Sequence, residues 1–154
     1  MINNYDKEWN KILFSLSFFN GISDEEKDKR WNLAENVIKE FGDQTVFDEW
    51  FNYLNEFVNN QNDAWSFMLW FFDYTGGKLK VKDPYPFLAL LFKKLELSID
   101  KDKGDKNYDY MLETFDSIYA QLLLGAGIIK VEDYCYVNFF NDSKFKEELD
   151  AIKN

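Results

Sequence analysis

Hydrophobic residues recur at every third or fourth position over most of the chain, which is the spacing of one side of an α-helix. The first such segment is a predicted helix at residues 5–16, and the last lies within residues 141–154. Glycines such as Gly21 and Gly42 separate several of these segments, because glycine commonly ends helices. We therefore predict a mainly α fold: a compact multi-helix bundle of about seven helices, formed by a single domain that spans residues 1–154.

The segment at residues 64–74 is apolar on two sides rather than one. Met68 and Phe72 fall on one stripe, whereas Phe67 and Phe71 fall on another. A helix that is apolar on both sides is normally buried between neighbours. The apolar run is also too short for a bilayer, which needs about 20 apolar residues. We predict a central core helix and no membrane partner.

Two segments of the C-terminal half are typical of extended chain. In "KLKVK", residues 78–82, lysines alternate with apolar residues, which favours a brief extended segment or an edge strand. Residues 128–140, "IIKVEDYCYVNFF", place two mostly apolar runs on the two sides of an acidic pair, Glu132 and Asp133, at which a hairpin would turn. We therefore predict a small β-hairpin near the C-terminus.

Composition narrows the chemistry by exclusion. The 154 residues include no histidine, which removes Ser-His-Asp and Cys-His catalysis and histidine metal sites. The single cysteine, Cys135, excludes an internal disulfide and agrees with a reducing compartment. Asp6 and Glu8 stand where a signal peptide would be basic. We expect a cytoplasmic protein.

Motifs for metals and cofactors fail at their decisive positions. The loop that starts at Asp100 matches a calcium-binding EF-hand only in its first acidic residues, and Met111 stands where the bidentate glutamate belongs. "TGGK", residues 75–78, lacks the first glycine of a phosphate-binding loop. "GAG", residues 125–127, follows a helix and has no third glycine. We predict no cofactor, no metal site and no catalytic residue.

Charge is distributed unevenly along the chain. The net charge is −10; residues 1–77 carry −8 (14 acidic against 6 basic residues), and residues 78–154 carry −2 (14 against 12). From Glu40 to Gly77 there are seven acidic residues and no Lys or Arg. Such a balance argues against nucleic acid and anionic lipid as partners.

The third predicted helix, which begins near Thr45, separates apolar and acidic residues onto opposite sides. Its apolar side comprises Phe47, Trp50, Phe51, Leu54, Phe57 and Val58. The other side is acidic and rich in amides, and such a surface either is simply solvated or steers a basic partner towards aromatic hot spots at its edge. The predicted partner-binding residues are Asp43, Asp48, Glu49, Asn52, Tyr53, Asn55, Glu56 and Asp63.

These features favour a non-enzymatic protein-binding domain. The chain is small, acidic and free of histidine, and its abundant Lys, Asn, Phe and Tyr suggest an AT-rich bacterial gene. Inhibitor and immunity proteins are of this general type, and they neutralise a basic partner, for example a bacterial toxin, by occlusion. One alternative is a helical module that binds a small apolar ligand in an aromatic pocket between residues 64–74 and 110–124. A second is a carboxylate-based enzyme, which requires acidic groups with raised pKa values in one cleft.

Overall fold

Six α-helices make up most of the part of the chain that the computed structural model describes, which comprises residues 24–75, 78–97, 106–132 and 141–152. No β-strand occurs within these ranges. The prediction of a mainly helical fold is confirmed. The helices are α1 (Asp24–Phe41), α2 (Asp43–Phe57), α3 (Gln61–Thr75), α4 (Tyr85–Lys94), α5 (Lys106–Gly125) and α6 (Ser143–Ile152).

The described ranges contain six helices rather than about seven, because the first predicted helix, residues 5–16, lies outside them. The other helices lie close to their predicted positions. The helix predicted from near Thr45 begins two residues earlier, at Asp43, which directly follows Gly42. None of the helices in the described ranges is both long enough and apolar enough to cross a membrane.

The β-hairpin prediction was wrong for the described part of its segment. Residues 128–132 form turns and a short 3₁₀ turn, and residues 133–140 lie outside the described ranges. The way in which α5 ends explains the difference. The backbone N–H of Ile128 donates to the carbonyl of Leu123 at 3.0 Å, and Gly127 has a φ of 75°. This glycine-containing helix cap redirects the chain, so the residues after α5 do not begin a strand.

Residues 78–82 alternate between buried apolar side chains and exposed lysines, as predicted, but their backbone pairs with side chains rather than with a strand. The N–H of Lys80 donates to Oδ2 of Asp43 at 2.7 Å, and the N–H of Lys82 donates to Oε1 of Gln44 at 2.9 Å. The first turn of α2 thus supplies the acceptors that a neighbouring strand would otherwise provide.

Helix α3 lies at the centre of the described fold, as its two apolar sides predict. It packs against α1, α2, α4 and α5, and Phe67, Trp70 and Phe71 are fully buried. The ring of Trp50 on α2 lies edge-on to the rings of Phe67 and Phe71, at 5.4 Å from each. Such aromatic pairs contribute about 0.5–1.5 kcal/mol each beyond the burial of their area.

A second group of aromatic side chains attaches α6 to the rest of the fold. Phe145 on α6 is fully buried. Its ring lies 5.4 Å from that of Phe92 on α4 and 5.5 Å from that of Tyr119 on α5, with both pairs nearly perpendicular. The C-terminal helix is therefore held by side chains from two other helices.

Candidate partner-binding surface

Helix α2 has one buried and one exposed side, and the residues before it explain where it begins. Gly42 lies between α1 and α2 with a φ of 89°, a conformation that glycine adopts without strain. Asp43 places a negative charge in the first turn of α2, where the helix dipole favours it. The buried side consists of Val46, Phe47, Trp50 and Leu54.

The other side of α2 is a continuous exposed surface. Asp48, Asn52, Asn55 and Glu56 all have exposed side chains, and we call these four residues the acidic surface. Helical geometry spreads them over about 100° of the circumference of α2 and about 12 Å of its length. Nε2 of Gln44 donates to Oδ1 of Asp48 at 2.9 Å. The structure brings these four predicted residues together.

An exposed aromatic residue, Phe57, ends α2 one position after Glu56. At about 100° per residue it projects about 100° around the helix from Glu56, so it lies beside the end of the acidic surface rather than within it. The side chain of Phe57 is 57% exposed. The ring of Tyr53 lies 5.2 Å from that of Phe57 and stacks on the buried ring of Phe67 at 6.2 Å. Burial, and then the charge of Asp63, raises the pKa of Tyr53, so its phenol stays neutral.

The exposure of Phe57 corrects its predicted place on the apolar side of the helix. Phe57 is the last residue of α2, and the chain becomes extended at Val58, with φ of −100° and ψ of 111°. Val58 is buried and fills the position next to the core that Phe57 was expected to share. The polar "NNQND" that follows predicted the end of the helix just after Val58, one residue later than the structure shows.

A lysine from a distant part of the chain holds the same end of α2. Nζ of Lys94, at the end of α4, donates to the carbonyl oxygens of Leu54, Asn55 and Val58 at 2.7, 3.1 and 2.5 Å. These carbonyls include groups that the end of a helix leaves without partners, and a cation there is favourable. Burial lowers the pKa of Lys94. Sequence reasoning missed this contact because Lys94 is remote from α2 along the chain.

The remaining predicted residues take part in other contacts. Asp43 accepts the N–H of Lys80, as described above. At the start of α3, Oδ1 of Asn60 accepts the N–H of Asp63 at 2.8 Å, and Nδ2 of Asn60 donates to Oδ2 of Asp63 at 3.0 Å, which together cap the helix. Glu49 is partly buried on α2. Asp43 and Asp63 therefore stabilise the fold locally and lie outside the acidic surface.

A carboxylate and two tyrosines form a second polar cluster, which sequence reasoning missed. Oδ2 of Asp142 accepts hydrogen bonds from the hydroxyls of Tyr85, at 2.8 Å, and Tyr119. Oδ1 accepts the N–H groups of Lys144 and Phe145 at 3.0 and 3.4 Å, so Asp142 is the N-cap of α6. Burial, followed by the hydrogen bond to Asp142, raises the pKa of both tyrosines. Both oxygens of the carboxylate are therefore used to join α4, α5 and α6.

Other described residues bear on the two alternative functions, an apolar ligand pocket and a carboxylate-based enzyme. Several aromatic residues of α3 and α5 pack on one another or on their neighbours, as Trp65 does on Tyr110 at 6.4 Å. Burial raises the pKa of Asp116 on α5. Within the described ranges, no group of three or more Cys, Asp or Glu side chains is placed to hold a metal ion.

Comparisons with protein-family models, with curated proteins and with solved structures found no match to this chain. Any functional assignment must therefore come from the chemistry of the sites themselves.

Proposed function

We propose that the chain is a non-enzymatic binding protein whose acidic surface on α2 docks a basic protein partner. The observation that carries this proposal is the row of exposed carboxylates and amides along α2, with the exposed ring of Phe57 at the C-terminal end of the same helix. A large apolar side chain beside charged groups is the composition of a binding hot spot with a polar rim.

The electrostatics support a basic partner in particular. The net charge is −10, and the sequence around α2 contributes acidic residues without a Lys or Arg from Glu40 to Gly77. Lys94 brings one positive charge to the C-terminal end of α2, so the field of this surface is net negative rather than of a single sign. A net negative field attracts a basic partner and raises its association rate, and this effect weakens as salt is added. Exposed carboxylates such as Asp48 would then set orientation and rate, whereas Phe57 would slow dissociation.

The class of partner that fits best is a basic enzyme or toxin that the domain neutralises by occlusion. Rigid presentation favours such a role, because a preorganised surface loses little conformational entropy on binding. Lys94 fixes the C-terminal end of α2 through three carbonyl groups. Tyr53 packs on the buried ring of Phe67 and also contacts the exposed ring of Phe57, so it helps to hold that ring in place.

Charge reversal on the acidic surface tests the proposal. The variant Asp48→Lys with Glu56→Lys is compared with Glu147→Lys with Asp150→Lys, which makes the same change in net charge at exposed positions of α6. The partner is captured from host extract by the wild-type protein and identified, and its dissociation constant is then measured with each purified variant.

We expect the α2 variant to bind the partner at least about tenfold more weakly, which corresponds to about 1.4 kcal/mol. The α6 variant should lose much less, because only the overall field changes. Equal losses of affinity in the two variants would show that only the net charge matters, and this would contradict a specific role for the acidic surface. Undiminished binding by a folded α2 variant would also contradict the proposal.

A further inference from the structure

A cavity of about 540 Å³ opens between residues 78–82 and the C-terminal end of α5. Its described lining consists of Lys78, Lys80, Gln121, Leu124, Gly125 and Val131. The volume falls in the range of small-molecule sites, about 300–1,000 Å³. It differs from the aromatic pocket expected from the sequence, since no described aromatic residue lines it.

The wall that carries the lysines is held on two sides. The N–H of Lys80 is bonded to Asp43, at the start of α2. On the other side, the carbonyl oxygen of Leu79 lies only 2.4 Å from where a Cβ at Gly125 would be. Only glycine permits this close approach of residues 78–82 to α5. The lysine backbone positions are therefore fixed relative to α5.

The lining combines two positive charges with apolar groups. Lys78 and Lys80 lie on the same side of residues 78–82, because the residue between them, Leu79, is buried. Leu124 and Val131 supply apolar surface, and the side chain of Val131 is 76% exposed. No acidic side chain is among the described lining residues, and the nearby carboxylate of Asp43 accepts the N–H of Lys80. The two lysines therefore make this lining favour a negatively charged ligand.

We propose that this cavity binds a small organic anion, in which a carboxylate or sulfonate group is joined to a short apolar portion. The two lysine ammonium groups pair with the anionic head, in charge-assisted hydrogen bonds that are stronger than neutral ones. The apolar portion lies against Leu124 and Val131. This site is separate from the acidic surface on α2 and does not depend on the function proposed for that surface.

Binding is tested on the full chain with the fluorescent sulfonate 8-anilinonaphthalene-1-sulfonate as the probe. Three competitors separate the two parts of the ligand: octanoate has both parts, octanol has only the apolar part, and inorganic phosphate has only the charge. We expect saturable probe binding that octanoate displaces at concentrations at least about tenfold lower than octanol or phosphate. Equal potency of octanol or of phosphate would overturn the proposed ligand class, and an absence of saturable binding would overturn the site.

Variants then locate the binding to this cavity. Lys78→Gln with Lys80→Gln should weaken octanoate binding at least about tenfold, whereas Lys82→Gln with Lys93→Gln, at two exposed lysines outside the lining, should change it less than about twofold. Val131→Glu alters an exposed side chain, so it should fold normally and also weaken anion binding by repulsion. Equal effects in both lysine pairs, or unchanged binding in Val131→Glu, would contradict the assignment.

Discussion

Replacing Asp142 with alanine is expected to lower the free energy of unfolding by about 2–3 kcal/mol. The carboxylate caps α6 through one oxygen and accepts the hydroxyls of Tyr85 and Tyr119 through the other. Loss of an N-cap costs about 1 kcal/mol. Both tyrosines are buried, and their hydroxyls also hydrogen-bond to each other. One of the two therefore keeps an acceptor, and the loss of an acceptor for the other costs about 1–2 kcal/mol more. Because total stabilities are about 5–15 kcal/mol, the loss should be easily measured.

Urea unfolding followed by far-ultraviolet circular dichroism measures this loss directly. Asp142→Asn should lose less than alanine, because asparagine is also a good N-cap. Asp150→Ala, at an exposed position of α6, is the matched control and should change stability by less than about 0.5 kcal/mol. In a double-mutant cycle, Tyr119→Phe should cost less in the Asp142→Ala background than in the wild type. A loss below about 1 kcal/mol in Asp142→Ala, or full additivity with Tyr119→Phe, would refute this account of the cluster.

Three further predictions concern stability. The pKa values of Tyr85 and Tyr119 are raised in the folded protein, so their contribution to the free energy of unfolding is complete below the unfolded tyrosine pKa of about 10 and is lost as the pH rises beyond it. Alkaline unfolding should therefore coincide with the appearance of the last tyrosinate absorbance. Titration of all tyrosines before unfolding would contradict this. Lys94→Met should lower the free energy of unfolding in urea by about 1–3 kcal/mol, because three carbonyl groups lose their donor; a neutral effect would show that the cap is dispensable. Gly125→Ala should destabilise the fold by about 1–3 kcal/mol and lower its melting temperature, since the added methyl group meets the carbonyl of Leu79; an unchanged melting temperature would contradict that close contact.

Local periodicity was sufficient to predict most of the described helices and the sides that they bury. The apolar stripes on both sides of α3 placed it at the centre of the fold, because a helix without a polar side must be covered by neighbours. The same reasoning placed Asp48, Asn52, Asn55 and Glu56 on the exposed side of α2. These features depend on residues within one helix, and a sequence pattern reports them directly.

The features that were missed depend on contacts between distant parts of the chain. Lys94 reaches Leu54 across 40 positions, and Tyr85 reaches Asp142 across 57. No local pattern distinguishes such a lysine or tyrosine from one in solvent. The hairpin prediction was wrong in its described part because it took no account of the helix cap at Gly127, and Phe57 was misplaced because helical spacing was applied through Val58, one residue beyond the end of α2.

The central claim, that the acidic surface and Phe57 dock a basic protein, is tested most directly by photo-crosslinking in the host. A photoreactive p-benzoyl-phenylalanine replaces Phe57 in one version of the chain and Tyr110 in another; Tyr110 is a matched control because it is a similarly exposed aromatic residue, 52% exposed against 57%. We predict that the probe at Phe57 forms a covalent adduct with a basic protein, and that crosslinking repeated in host extract gives a lower yield when salt is added before irradiation. An adduct formed from Tyr110 but not from Phe57, or an acidic protein crosslinked at Phe57, would contradict the account.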